Sequence, residues 1–309
     1  MEVCMSVVNA LNRRAAIGTL AVSAVSSLAS TKSNAKSLEK IDFTNPDQGH
    51  RANVKLKGSL GNEWVWRHYW GDVLAVLPEG APIPMFKFMG LIKAKWTDNE
   101  DGTHTELLYD TSSFLHRDTE EILDVFANPI TEKKNDVIHV WDGPTTTTLT
   151  RNGPVYPWTP TPPADPVILP WQVVDGHAWL TEQAVFERTH PLKPEEWPLA
   201  SSGENTVSSI NLTLSGRVED IENPDILSAP HDMNWVSMRS WLPWLLMGKR
   251  PGLLMTRGIG RKISGPEALP AKILEIIERQ QPNYLTSEAP WDKPMNSWQR
   301  YAETRQPIK

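Results

Sequence analysis

From residue 62 onward, apolar and polar positions alternate with a period of two, which predicts strands. Residues 62–70, Asn-Glu-Trp-Val-Trp-Arg-His-Tyr-Trp, put Trp64, Trp66, His68 and Trp70 on one face and Val65, Arg67 and Tyr69 on the other. Gly71-Asp72 reads as a turn into a further extended piece at 73–77. Residues 84–96 form another run, Asp98 to Gly102 reads as a hairpin loop, and 103–116 return as its partner. Short extended pieces follow at 121–126 and 136–141, and Thr145 to Thr148 adds a patch of high strand propensity. The pattern resumes at 178–189 and 205–219. In the second of these, Ile210, Leu212, Leu214 and Val218 alternate with Asn211, Thr213, Ser215 and Arg217. Strand character returns at 252–263, where Gly258-Ile259-Gly260 suits a barrel bend or a close strand crossing better than a phosphate loop.

Helical signals are fewer. Residues 232–247 suit a short helix or helical turns carrying Trp235, Met238, Trp241 and Leu245, interrupted by Pro243. An amphipathic helix is predicted from about Pro270 to Gln280, with Leu269, Ile273, Ile276 and Ile277 on one face. Seven prolines between Pro154 and Pro170 exclude regular secondary structure there. They predict a long loop within one domain, lying over a cavity mouth with Tyr156 and Trp158 pointing in. The expected fold is mainly β (α+β). It is a single barrel-like antiparallel β domain over residues 36–309, with a short Trp-rich helical segment and a C-terminal amphipathic helix.

The first 35 residues read differently. Arg13-Arg14 precede a weakly apolar stretch from Ala15 to Ala29 that is too short and too polar for a stable membrane span. An arginine pair in that position resembles a twin-arginine signal, with Ala16-Ile17 where Phe-Leu is usual. Cleavage is expected after Ala29 or Ala35, giving a periplasmic protein. The one cysteine, Cys4, falls in the removed segment, so no disulfide and no thiol nucleophile are expected in the mature chain. Losing Arg13, Arg14, Lys32 and Glu2 leaves 28 basic and 36 acidic side chains, a net charge of -8. That sign argues against nucleic acid as a partner.

Fourteen tryptophans are the strongest compositional signal. They suit a packed core, an aromatic-ligand pocket or a sugar-stacking platform. No Gly-x-Ser-x-Gly elbow and no His-Glu-x-x-His spacing occur, and His231-Asp232 is a bare pair, so neither a metal nor a cofactor is expected. Glu120-Glu121 and Glu195-Glu196 are adjacent in sequence and would diverge into solvent. What remains is a set of polar residues inside apolar strands. Arg67 and Tyr69 share a face, Asp110 and His116 share another beside Tyr109, and His139 and Trp141 share a third. Lining a barrel interior, such groups supply a charge anchor, a proton-transfer residue and a hydrogen-bond donor. His139 is the expected acid/base, with Tyr69 as donor and Asp110 as its partner. Arg67, Trp66, Tyr109, His116, Trp141 and Trp158 are the expected substrate contacts.

Several fragments, in order, resemble a bacterial family of unknown function, domain-of-unknown-function family 1838. They are Val54 to Leu60, Phe86 to Gly90, Glu121 to Asp124, Asn128 to Thr131 and Ile138 to Val140, then Trp241 to Trp244 through Met247-Gly248 to Pro251-Gly252. Asp118-Thr119-Glu120 departs from the Thr-Gly-Glu turn of the family pattern. The resemblance implies one undivided fold and twin-arginine export, and carries no particular reaction. Three functions fit. The first is a cofactor-independent lyase, dehydratase or isomerase acting on a small apolar or aromatic molecule. The others are a non-catalytic periplasmic carrier and a carbohydrate-active protein with Trp platforms.

Overall fold

Period-two patterning takes effect as one large antiparallel sheet in the computed structural model, which describes residues 40–157, 161–293 and 296–308. The expected export segment and Trp158 lie outside the described residues. A helix, α1 (Pro46–Lys57), comes first. It was not expected, because its polar composition reads as a lead-in. Its start is nevertheless written in the sequence: the Asn45 side chain accepts from the backbone N–H groups of Asp47 and Gln48, and Pro46 opens the first turn.

Two meanders then build the sheet. The first comprises β1 (Trp64–Val76), β2 (Ile83–Asp98) and β3 (His104–Leu115). A separate two-stranded ribbon of β4 (Val125–Ala127) and β5 (Lys134–Asp136) interrupts it before β6 (Val140–Thr150) and β7 (Gly153–Val155). The second comprises β8 (Trp171–Val174), β9 (His177–Thr189), β10 (Asn205–Arg217), β11 (Asp232–Arg239) and β12 (Leu253–Ile263). The sheet order β7-β6-β3-β2-β1-β12-β11-β10-β9-β8 joins the meanders along their first and last strands. Trp66 to Val76 pair there with Ile263 to Leu253. The ten strands curl into a half-barrel, the barrel-like β fold that the alternation predicts.

Two local readings are corrected. Gly71-Asp72 is not a turn: β1 runs straight through it, and Gly71 pairs with Gly258 on β12. A Cβ on Gly71 would lie 2.1 Å from the Arg257 carbonyl oxygen, so the glycine serves close strand approach. The helical reading of 232–247 also fails over most of its length. Residues Asp232–Arg239 are β11, paired on both sides, and only Pro243–Leu245 form a short 3-10 turn. Met233, Trp235, Ser237 and Arg239 face inward at period two, a pattern that the apolar spacing of Trp235, Met238 and Trp241 obscured.

The two faces are covered differently. On the outer face, Met89, Leu91, Tyr109 and Leu115 pack against Leu269, Ile276 and Ile277, with Ile273 alongside. These come from α3 (Ala271–Gln280) and its approach, the amphipathic helix that the sequence predicts. The short helix α2 (Val218–Glu222) lies between β10 and β11, and α4 (Ser297–Thr304) follows α3. Inside the curl, Phe86, Phe114 and Phe126 pack with Trp244, whose segment from Trp241 to Met247 is buried throughout. Leu56 of α1 packs with Ala178, Leu214 and Ile221 in the same core. Among the described residues, no helix is long and apolar enough to cross a membrane.

Candidate active site

Curling the sheet brings inward-facing residues of both meanders around one cavity of about 240 Å³. Its apolar wall includes Val73, Phe88, Ile92, Leu212, Leu214 and Trp235. Its polar residues are Arg67, Tyr69, Asp110, Ser112, Asp142, Arg239 and Thr256. Strand register explains the grouping. Arg67, Ile92, Asp110 and Asp142 stand opposite one another across β1, β2, β3 and β6, and Tyr69, Gly90, Ser112 and Val140 form the neighbouring row.

Gly90 decides where the Tyr69 ring goes. A Cβ there would sit 2.2 Å from Tyr69 Cζ, so only glycine lets the ring cross β2. The Tyr69 hydroxyl then reaches β3 and donates to Asp110 Oδ1 at 2.6 Å. Arg67, 5% exposed, donates through Nη2 to Glu106 Oε1 at 2.5 Å, an ion pair buried at both ends. That pairing fixes the guanidinium and leaves its Nε without a partner.

Burial sets the protonation of the carboxyls. It pushes Asp110 up to about 7, aided by the neighbouring Asp142 and opposed by the Tyr69 hydroxyl, Arg67 and Arg239. Burial likewise lifts Asp142 to about 6, against the pull of Arg239 and Arg188. The Tyr69 phenol is held well above its ordinary value by burial and by Asp110. A carboxyl near neutrality beside a phenol donor can take up or release a proton at physiological pH. Among the described residues, no group of three or more His, Cys, Asp or Glu side chains converges as a metal site would require.

The family model described as "Protein of unknown function (DUF1838)" matches residues 62–305, about four-fifths of the chain. The chain belongs to this family. The matched stretch takes in all twelve strands and every residue on the cavity wall. α1 precedes it. No curated protein matches the sequence.

In this DUF1838 chain, three of the residues singled out from the sequence line the cavity together: Arg67, Tyr69 and Asp110. His139 does not line it. The imidazole is buried just ahead of β6, stacks on the Phe114 ring and accepts the Phe114 backbone N–H through Nδ1 at 3.0 Å. Burial pushes it down to about 4, so it is neutral. Trp66, Tyr109 and Trp141 lie on the other side of the sheet, where they pack with Tyr284 and Trp291. His116 is exposed in the turn after β3, and Trp158 lies outside the described residues.

Sequence reasoning missed Asp142, Arg239 and Glu106. Asp142 was readable, since alternation that turns Trp141 outward turns Val140 and Asp142 inward. Arg239 was hidden by the helical reading of its strand. Glu106 was hidden because it becomes meaningful only through its side-chain pairing with Arg67, two strands away and out of register.

A second opening lies where the sheet's far edges approach. This groove of about 640 Å³ is lined by Gly153, Pro154 and Tyr156 on one side and by Gln172 and Leu180 to Ala184 on the other. Tyr156 thus lines an opening, as the Pro-rich loop reading expects, though not the charged cavity itself. Ile210 and Leu212 belong to both walls.

Proposed function

We propose that the half-barrel binds a small, largely apolar organic molecule in its cavity and that Asp110, working with Tyr69, moves a proton on it. A cofactor-independent lyase, dehydratase or isomerase would work in this way. The observation that carries the reading is the 2.6 Å hydrogen bond from Tyr69 to Asp110 on a cavity wall. Asp110 is the proton-transfer residue, and the Arg67 guanidinium, held by Glu106, is the anchor for a developing oxyanion. His139 acts through packing, holding β3 against the start of β6.

Deuterium exchange tests this without knowledge of the natural reaction. Phenylacetone, an aromatic ketone with exchangeable C–H bonds, is incubated with the protein in D2O and followed by NMR. Wild type should accelerate exchange, Asp110→Asn should lose about 10²–10⁴-fold, the usual worth of a positioned acid/base, and Tyr69→Phe should lose less. Ketone that binds without exchange moves the protein to the carrier class, for which the apolar wall would suffice.

The compartment belongs to the same proposal. Arg13-Arg14 ahead of the weakly apolar Ala15–Ala29 stretch support twin-arginine export to the periplasm. Arg13→Lys with Arg14→Lys should hold the precursor in the cytoplasm, because the two cations are not equivalent in hydrogen-bond geometry. Undiminished periplasmic protein in that double variant overturns the assignment.

A further inference from the structure

Arg239 enters the cavity from β11 and Asp142 from β6, strands separated in the sheet by β3, β2, β1 and β12. Only the curl brings them face to face. Each charge acts on the other, yet no ion pair within 4.0 Å joins them. Among the described residues, neither side chain has a hydrogen-bond partner, and the Arg239 Nε is buried without one. A donor fork and a carboxylate therefore line one cavity with no hydrogen bond between them, and both can bond to a ligand. This differs from Arg67, whose partner is Glu106.

The charges on the wall narrow what fits between them. On the wall, Arg67 and Arg239 stand with Asp110 and Asp142; from beyond it, Glu106 pairs with Arg67 and Arg188 acts on Asp142, so the charges are already matched. An anionic ligand would add a charge beside Asp110 and Asp142, and a cationic one would face Arg239 at close range. A purely apolar ligand would bury both polar groups unpaired, which is costly for each. A neutral head with an acceptor next to a donor satisfies both.

Taking the cavity as the ligand site proposed above, we infer that its ligand carries a carboxamide or α-hydroxycarbonyl head. The head's oxygen accepts from Arg239, and its N–H or O–H donates to Asp142. The rest of the molecule is an apolar ring body against Phe88, Leu212, Leu214 and Trp235.

Four probes of one ring size separate the possibilities: benzamide, benzoate, benzylamine and toluene, titrated calorimetrically into the full chain and checked by thermal shift. Benzamide should bind about tenfold or more tightly than each of the others, the discrimination expected when a buried donor and acceptor are both satisfied. Arg239→Met and Asp142→Leu should each remove that advantage, with toluene still binding. If Arg239→Met does not fold, Arg239→Gln takes its place. Toluene binding as tightly as benzamide, or benzamide binding unaffected by both variants, overturns the head-group assignment while the cavity stands as a ligand site. Failure of all four probes to bind removes the site itself.

Discussion

Asp110 and Asp142 are carboxyls raised by their surroundings to about 7 and about 6, whereas an aspartate in the unfolded chain titrates near 3.8. Between these values the folded protein keeps protons that the unfolded chain has released, so stability falls as pH rises through the window. Burial raises Asp110 most and Asp142 adds to it, while the Tyr69 hydroxyl, Arg67 and Arg239 pull it back. Asp110→Asn cannot ionise and escapes this loss. Its melting temperature relative to wild type should therefore climb from about pH 4 to about pH 8, by the equivalent of about 1–3 kcal/mol, since a tenfold change in proton affinity is about 1.4 kcal/mol. Taking the difference between the two proteins cancels the buried histidines, which act in the opposite direction. A difference that stays flat across that range would mean Asp110 is ionised throughout. At this scale the sequence revealed Arg67, Tyr69 and Asp110, because polar residues at inward parity in apolar strands are visible without a structure. His139 shows the limit of that argument. Parity put it in an interior, but not in which one.

Among the elements, the segment after α3 has the most specific attachment. Lys93, buried on the outer face of β2, donates through Nζ to the carbonyl oxygen of Tyr284 at 2.8 Å and to that of Ser287. Rings of Trp64, Trp66, Tyr109 and Tyr284 surround the ammonium. The Tyr284 hydroxyl in turn bonds to the Leu91 and Tyr109 carbonyl oxygens at 2.7 and 3.0 Å. Trp66 and Tyr109, expected as substrate contacts, instead help to hold this strap. Lys93→Met keeps the length of the stem but strands two carbonyls, at a cost of about 1–3 kcal/mol. Limited proteolysis should then cut within residues 281–293 faster than in wild type. An unchanged digestion pattern together with an unchanged melting temperature would show that the strap is held by its rings alone. The strands and α3 were legible because each has one buried face and a clear period. α1 was not legible, since a helix seated inside a curl is buried on several sides and loses the simple stripe.

At the scale of the whole molecule, alternation predicts a barrel-like sheet but says nothing of strand order, which depends on pairings between the two ends of the chain. The join between β1 and β12 has a consequence for how the chain can be assembled. Each meander is contiguous in sequence, and the backbone passes between them once, through the proline-rich connection from β7 to β8. Asn152 ties residues 163 and 164 to the first meander. A break between Ala164 and Asp165 would therefore leave two fragments, each carrying five consecutive strands of the sheet and one bare inner edge. Alone, such an edge invites aggregation. Together, β1 and β12 are each other's mates over their whole paired length. Residues 36–164 and 165–309, produced as separate chains in one cell, should reassemble into a one-to-one complex that melts cooperatively, while either produced alone should be insoluble. If one fragment is soluble and monomeric by itself, the β1–β12 ladder is not what makes the two halves a single protein.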